Sequence, residues 1–436
     1  MKETMRTFTV TLALAMAWTQ PVTAQTYKET VLHLFTGLGD DGVNPNGPAT
    51  LVSDGAGNLY GTTDTGGAWQ YGTVFRMDST GNVTVLYSFP DKNGHGARPI
   101  GGLVIDSSGN IYGTTLRGGA NRNGTVFKLR PTRRGYASQV LHDFAGGTND
   151  GAIPLTGLIQ DSEGNLYGAT FDGGTMNAGV LFKLDTQGQL TVIYSFGSNP
   201  DDGTQVAGLT RDSQGSFYTT SETGGPSQYG NNCLQTNYFV SFGCGTIAKV
   251  DPSGNETILH VFTGVNGDGG SPIGPVVLDT AGNIYGTTLL GGTGSCLPPN
   301  SSTPGCGTVF KIDTSGNYSV IYNFPGLGGG RGAGPIGGLT MDQSGHLYGT
   351  TEDGGAGPCV GYYTGGLGCG TVFRLNTNSG QQTVMHWFNG KRDGGNPEAG
   401  LLLDSSGNLF GTTWDGGDDK GCGRGQGCGV VFKLSK

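Results

Sequence analysis

The stretch Asp106-Ser107-Ser108-Gly109-Asn110-Ile111-Tyr112-Gly113-Thr114-Thr115 decides the fold of this chain, because close copies of it return along the whole sequence. Its last four residues, Tyr-Gly-Thr-Thr or a near variant, recur at Tyr60, Tyr112, Tyr167, Tyr218, Tyr285, Tyr348 and Phe410. A unit repeated at a spacing of roughly 50 to 67 residues indicates a repeat architecture. The shared residues are therefore scaffold, and function must be sought where the copies differ.

One unit is predicted to form four short strands. In the second unit these strands cover 103–106, 110–115, 124–129 and 139–144, and the first two are joined by a tight Asp-x-x-Gly turn. Four antiparallel strands per unit, repeated around an axis, make a β-propeller. The sequence predicts an all-β, seven-bladed propeller. The predicted blades start near 49, 102, 157, 208, 275, 338 and 400.

The two ends of the chain complement each other. The last unit stops after its third strand, 429–434, whereas a spare fourth strand, 30–35, precedes the first unit. Joining them completes blade seven and pairs an otherwise bare sheet edge. We therefore expect the N-terminal strand to close the ring.

Composition and the N-terminus predict an exported, single-domain protein. Lys2 and Arg6 precede an apolar stretch, and Val22-Thr23-Ala24 offers small residues for cleavage, so residues 1–24 are interpreted as a signal peptide and 25–436 as one propeller. A short membrane anchor is the alternative, but the apolar stretch is shorter than the ~20 residues of a spanning helix. The net charge of −9 and the lack of a basic stripe argue against a nucleic-acid partner. We expect a monomer without a membrane span.

The eight cysteines support export. They form four local pairs, each in the same segment of a late unit: Cys233/Cys244, Cys296/Cys306, Cys359/Cys369 and Cys422/Cys428. An even number of cysteines behind a signal sequence indicates disulfides. A metal site would need Cys-x-x-Cys spacing or nearby histidines, which the pairs lack.

The repeat resembles a known family. The pattern Gly102-Leu103, Asp106, Gly109 to Thr115, Gly118-Gly119 and Gly124 to Leu129 is similar to the bacterial GloVer tandem-repeat family over almost the whole mature chain. The resemblance implies an exported bacterial protein, secreted, periplasmic or on the cell surface. It implies no settled activity.

Strand direction sorts the loops onto two faces. The Asp-x-x-Gly turns share one face, which we expect to be short and uniform, and the longer, variable loops share the other, where binding usually resides. The loops between the second and third strands are long in units four to seven, which hold the cysteines. Either this lopsided rim forms a cleft, or the long loops simply need a staple.

Departures from the repeat supply the candidate site residues. An Asp-Gly recurs between units, and His95-Gly96 and Arg331-Gly332 replace it; Glu398 occupies a slot that is otherwise apolar. His95, Arg331 and Glu398 are the catalytic candidates. The binding candidates are Asp64, Arg117, Phe171, Glu222, Glu352 and Trp414. Neutral drift at exposed positions is the competing explanation.

The recurring Asp is interpreted as a turn residue, although it permits calcium. No other cofactor or metal site is expected.

Three functions fit these residues. The leading hypothesis is a secreted scaffold that binds an extracellular glycan or envelope polysaccharide through its variable face. The alternative is a polysaccharide lyase, with His95 as base and Arg331 or Arg117 against a uronate, or a glycoside hydrolase with two carboxyl groups. The third is a structural envelope module. A propeller fold does not choose among them.

Overall fold

A computed structural model describes most of the chain after the predicted leader. The described residues are 27–45, 50–90, 94–199, 201–226, 243–296, 305–326, 330–355, 357–359, 368–417, 422 and 427–436. The predicted signal peptide and Cys233 lie outside them. Every regular element in these ranges is a β-strand.

Seven antiparallel sheets form the seven predicted blades, so the predicted propeller is confirmed. We label the strands of each blade A to D in their order across the sheet. Blades 1 to 3 contain Val52–Ser53, Leu59–Thr63, Thr73–Met77 and Val83–Ser88; Val104–Ile105, Ile111–Thr115, Thr125–Thr132 and Gly135–Asp143; Ile159–Gln160, Leu166–Gly173, Val180–Leu184 and Leu190–Ser195. Blades 4 and 5 contain Gly203–Arg211, Phe217–Gly224, Thr246–Val250 and Glu256–Val261; Val277–Leu278, Ile284–Thr288, Thr308–Ile312 and Tyr318–Asn323. Blades 6 and 7 contain Thr340–Met341, His346–Thr351, Thr371–Asn376 and Gln382–Trp387; Leu402–Leu403, Leu409–Thr413, Val430–Ser435 and Lys28–Leu34.

The N-terminal strand completes blade 7, as expected. Lys28–Leu34 pairs antiparallel with Val430–Ser435, so the first and last strands of the protein lie in one sheet. Between blades, the described strands form no continuous ladder. The blades are instead held together by apolar clusters that each combine side chains of neighbouring blades, such as Tyr60 with Leu103 and Ile111.

Short ladders tie each linker between blades to the blade that follows. The linker strands and their partners are Gly42–Val43 with Thr65–Gly66, Gly96–Ala97 with Arg117–Gly118, Gly151–Pro154 with Leu166–Gly173, and Gly269–Gly270 with Leu290–Gly291. In blades 6 and 7 single bridges, Ala333 to Asp353 and Gly395 to Asp415, take the same place. The recurring Asp-Gly linker is therefore part of the fold.

The tyrosine of the repeat links its own turn to its own blade. The hydroxyl of Tyr112 donates to Asp106 Oδ2 at 3.0 Å, and Lys128 Nζ lies 5.1 Å from the centre of the ring. Asp106 Oδ1 also accepts the backbone N–H groups of Ser108 and Asn110. The aspartate bonds to the turn backbone recur in the other blades, so the Asp-x-x-Gly turns are internally hydrogen-bonded, although Phe410 in blade 7 has no hydroxyl to add.

The glycine of the repeat leaves room for a phenylalanine. A Cβ atom at Gly113 would lie 2.7 Å from Cζ of Phe127, its cross-strand partner, so only glycine fits without a shift. Blade 4 departs at both positions at once, where Thr219 pairs with Ala248. Thr219 is larger than the usual glycine and Ala248 is smaller than the usual phenylalanine, so the pair still fills the space between the two strands.

Threonines of blades 2, 4 and 6 bond the linker that follows their own blade. The hydroxyl of Thr350 donates to the carbonyl of Ala399 in the next segment at 2.9 Å. The backbone there is closely packed, since a Cβ atom at Gly274 would lie 2.8 Å from the amide nitrogen of Gly338. The cavity lined by Leu51, Thr62 and Leu103 holds only about 10 Å³, so little free space remains beside these residues.

Candidate functional site

The loop face carries the loops between strands B and C and the linkers between blades. Each linker enters its blade through a residue in the left-handed conformation: Asn44, Arg98, Ile153, Gln205, Ser271, Gly334 and Asn396, with φ between 52° and 64°. Its N–H bonds a carbonyl of the preceding blade, as Arg98 bonds Tyr71 at 2.9 Å. Its carbonyl accepts from its own blade, as from Leu116 at 2.9 Å. Neighbouring loops are therefore fixed to one another around the ring.

Disulfides anchor the long loops to this ring. Cys296–Cys306, Cys359–Cys369 and Cys422–Cys428 are bonded, as predicted. Cys244 is also disulfide-bonded. The carbonyls of Cys244, Cys306, Cys369 and Cys428 accept the N–H of Ser271, Gly334, Asn396 and Asn44, respectively. Each staple thus ends directly at the start of the next blade.

The Asp-Gly linkers pair with the outer D strands. His142 Nε2 lies 3.1 Å from Asp150, and Asp150 also accepts the N–H groups of Ala145 and Gly151. Burial alone raises the pKa of Asp150, but the bonds from His142 and Ala145 outweigh it and lower that pKa below its usual range. The same pairing joins His33 to Asp41, Tyr194 to Asp202, His260 to Asp268 and His386 to Asp393. The aspartates predicted as turn residues therefore bond their own linker and also contact the D strand of the preceding blade.

Two catalytic candidates occupy this junction position. His95 Nδ1 lies 3.1 Å from the Tyr87 hydroxyl. Arg331 is exposed, and its guanidinium offsets part of the rise that burial causes in the pKa of Tyr322. The Arg331 carbonyl accepts Gln382 Nε2 at 3.0 Å. At the two junctions where the linker carries His95 or Arg331 in place of aspartate, the D strand thus carries a tyrosine. The structure places His95 and Arg331 at separate blade junctions.

The acidic candidates lie on both sides of the ring. Asp64 is 3% exposed and forms a two-pronged ion pair with Arg98, at 2.7 and 2.8 Å. Glu352 and Glu398 are buried in blade 6 and the following linker, where Asn396 Nδ2 donates to the Glu352 carbonyl. Burial raises the pKa of Glu222 to about 7. Burial also raises the pKa of Asp415, which the repeat pattern does not single out, to about 7.

The exposed aromatic residues differ from the predicted ones. Phe171 and Trp414 are partly buried. Trp69 and Tyr71, which the sequence analysis missed, are 52% and 41% exposed. Both belong to the short B–C loop of blade 1. Two aromatic residues at alternate positions of one short loop are the sequence feature that could have indicated this site.

The structure brings one group of these residues together. The Arg98 N–H donates to the Tyr71 carbonyl, and the Arg98 side chain forms an ion pair with Asp64. Arg117 directly follows Leu116, whose N–H donates to the Arg98 carbonyl. Arg117 is exposed. We call Asp64, Trp69, Tyr71, Arg98 and Arg117 the blade 1–2 platform. It lies on the side of the face where the loops are short.

No cluster of three or more metal-ligating side chains occurs in the part of the chain that the structure describes. The same ranges contain no helix long and apolar enough to cross a bilayer.

These features define a class: a seven-bladed propeller with one loop-bearing face and disulfide-anchored loops. Disulfides of this kind are typical of proteins exported to an oxidising compartment. The Gloeobacter/Verrucomicrobia repeat matches residues 19–233 and 230–436. The chain therefore belongs to the Gloeobacter/Verrucomicrobia repeat family, which confirms the predicted resemblance.

Solved structures show the fold at low identity. The extracellular domain of a protein assigned as a hybrid two component system from B. thetaiotaomicron aligns with 13% identity and a TM-score of 0.52, over 92% of this chain. The present chain spans 40% of that structure's length. A protein assigned as a 6-phosphogluconolactonase from Bacteroides uniformis aligns with 16% identity and a TM-score of 0.48, over 81% of this chain and 88% of that one. A gluconolactonase from Xanthomonas campestris aligns with 13% identity and a TM-score of 0.41, over 94% and 89%. No curated protein sequence matches the chain.

Proposed function

We propose that this protein is an exported bacterial propeller that binds an extracellular glycan through its loop face, at the blade 1–2 platform. The observation that carries the proposal is the exposure of Trp69 and Tyr71, 52% and 41%, on one short loop. Large exposed aromatic side chains are enriched at binding sites, because they offer a wide apolar surface at a low entropic cost. Their faces suit the apolar C–H faces of sugar rings.

The loop that presents them is already ordered. Gln70 N–H bonds the Gly67 carbonyl at 3.2 Å, and Gly72 N–H bonds the Gly66 carbonyl at 3.1 Å. Arg98 fixes the far side through its bond to the Tyr71 carbonyl. A surface that is ordered before binding loses little further entropy when a ligand arrives, which favours affinity.

Polar groups beside the aromatic pair supply orientation. Arg98 is held by Asp64, and its side chain remains 38% exposed. Arg117 adds an exposed guanidinium on the next loop. Planar guanidinium groups bind carboxylates and hydroxyl pairs with defined geometry. The platform thus combines stacking with directional bonds, as a sugar site requires.

Binding of the full chain to a panel of immobilised polysaccharides tests the proposal. Trp69→Ala should lower the affinity for the bound glycan about tenfold or more, as loss of a central aromatic contact does. Trp387→Ala is the matched control, because Trp387 is 51% exposed on the outer strand of blade 6. Equal effects of the two substitutions, or no binding to any glycan, would contradict the proposal.

The same panel separates binding from catalysis. New reducing or unsaturated ends that disappear in His95→Ala would favour the lyase alternative over a binding protein. Binding without product, unchanged by His95→Ala, supports the binding protein.

A further inference from the structure

Blade 2 departs from the repeat on the turn face, which the sequence analysis expected to be uniform. Its C and D strands, Thr125–Thr132 and Gly135–Asp143, continue past the position where other blades turn. The pairing runs on through Arg130 with Ala137 to Thr132 with Gly135. Blades 1, 3, 4 and 5 have four-residue turns here: Asp78 to Gly81, Asp185 to Gly188, Asp251 to Gly254 and Asp313 to Gly316. Blade 2 therefore projects a hairpin beyond that face.

This hairpin is basic. Arg130, Arg133 and Arg134 are all exposed, in a protein with a net charge of −9. None of the three forms an ion pair with another residue that the structure describes. Lys128 lies on the same side of the strand as Arg130, since alternate residues share a face. Exposed guanidinium groups without carboxylate partners favour an external anion.

Acidic residues around the hairpin limit the shape of the anion that it can bind. The A–B turn of every blade carries an aspartate on this face: Asp54, Asp106, Asp161, Asp212, Asp279, Asp342 and Asp404. A groove of about 550 Å³ beside Lys128 is also lined by Asp106, Asp161, Glu163 and Asp185. A flat anionic membrane would approach these carboxylates, whereas a thin chain can contact the hairpin alone. Several separate cations also favour a multivalent anion over a single ion.

We propose that the blade 2 hairpin, through Arg130, Arg133 and Arg134, binds an acidic polysaccharide on the face opposite the blade 1–2 platform. The contact is electrostatic and solvent-exposed, so salt weakens it strongly. It uses none of the platform residues and does not depend on the proposed glycan site.

The test measures binding of the full chain to immobilised polygalacturonate in about 20 mM and about 500 mM salt, where the Debye length falls from roughly 20 Å to roughly 4 Å. Arg130→Gln/Arg133→Gln/Arg134→Gln should weaken binding at least tenfold at low salt, and high salt should abolish wild-type binding. The matched control is Arg122→Gln/Lys391→Gln/Arg392→Gln, which removes three exposed cations from the other face and changes the net charge equally. All six side chains are exposed, and thermal unfolding of both variants checks that they fold.

Three outcomes would decide against the hairpin. Equal losses in the two triple variants would show a general charge effect. Loss in Trp69→Ala, with the hairpin variant unaffected, would assign the polyuronate to the platform and leave the proposed function intact. Sedimentation with phosphatidylserine vesicles, without binding to polygalacturonate, would assign the hairpin to a membrane. If Trp69→Ala has no effect on any polysaccharide of the panel, while the hairpin still binds polygalacturonate, only the platform proposal is overturned.

Discussion

The hydroxyl of Tyr194 in blade 3 donates to Glu256 Oε2 in blade 4 at 2.8 Å. The Tyr194 hydroxyl oxygen also lies 3.1 Å from Asp202 Oδ2, so one tyrosine joins two carboxyl groups across a blade junction. Asp202 Oδ1 and Glu256 Oε1 are buried as well. Two carboxyl groups placed in this way share a proton, because both cannot be charged at low cost.

This junction should weaken at alkaline pH. Burial, and then the neighbouring Asp202, raise the pKa of Glu256 well above its usual range. A raised pKa in the folded protein gives stability that is complete below the unfolded value of about 4.3 and is lost as the pH rises through the higher folded pKa. Glu256→Gln should therefore unfold like the wild type near pH 4 and be more stable than it near pH 9. Denaturant unfolding at both values measures this, and a constant difference between them would refute the shared proton.

The His–Asp junctions should respond in the opposite direction. The bonds from His142 and Ala145 outweigh burial and lower the pKa of Asp150, so its contribution is present above the unfolded value of about 3.9 and is lost as the pH falls through the lower folded pKa. Asp150→Asn should cost about 1–3 kcal/mol of unfolding free energy at pH 6 and little near pH 2. Unfolding curves at the two pH values compare the variant with the wild type. An equal loss at both would mean that the charge is not involved.

The Gly–Phe packing predicts a compensated exchange in blade 4. Ala248→Phe alone should cost about 1–3 kcal/mol, because Thr219 fills the space that glycine leaves free elsewhere. Thr219→Gly/Ala248→Phe restores the pairing of the other blades and should recover most of that loss. A double-mutant cycle measures the coupling between the two positions. Additive effects would show that the two departures are unrelated.

The staple of blade 6 should contribute to global stability. Cys359→Ser/Cys369→Ser removes a bond between residues ten positions apart and should lower the unfolding free energy by about 2–3 kcal/mol. Guanidinium unfolding checks the variant, with Ser88→Ala, on the D strand of blade 1, as a substitution control. If the double variant matches the wild type, the staple orders only its own loop.

The closing strand should be needed for solubility. A chain that starts at residue 36 lacks Lys28–Leu34 and leaves the edge of Val430–Ser435 unpaired. Unpaired edges promote association, so size-exclusion chromatography should show aggregates. A chain that starts at residue 27 keeps the strand and should elute as a single species. A soluble, cooperatively folding shorter chain would contradict this role.

The repeat itself determined the architecture. Tyr-Gly-Thr-Thr gave the blade number, and the displaced strand at 30–35 indicated how blade 7 is completed. Three of the four predicted cysteine pairs also followed from their positions. These features depend on local chemistry, namely strand periodicity, turn glycines and nearby thiols, which a single unit already contains.

Only the tertiary structure decided which departures meet. The sequence marked His95 as unusual, but its partner Tyr87 belongs to another strand, and the pair replaces the His–Asp or Tyr–Asp pairs of other junctions. Trp414 and Trp69 look alike in the sequence, yet one is partly covered by its neighbours and the other is 52% exposed. Exposure, and pairs such as Asp64 with Arg98, depend on residues that are distant along the chain, which is why folding, and not the motif, places the platform.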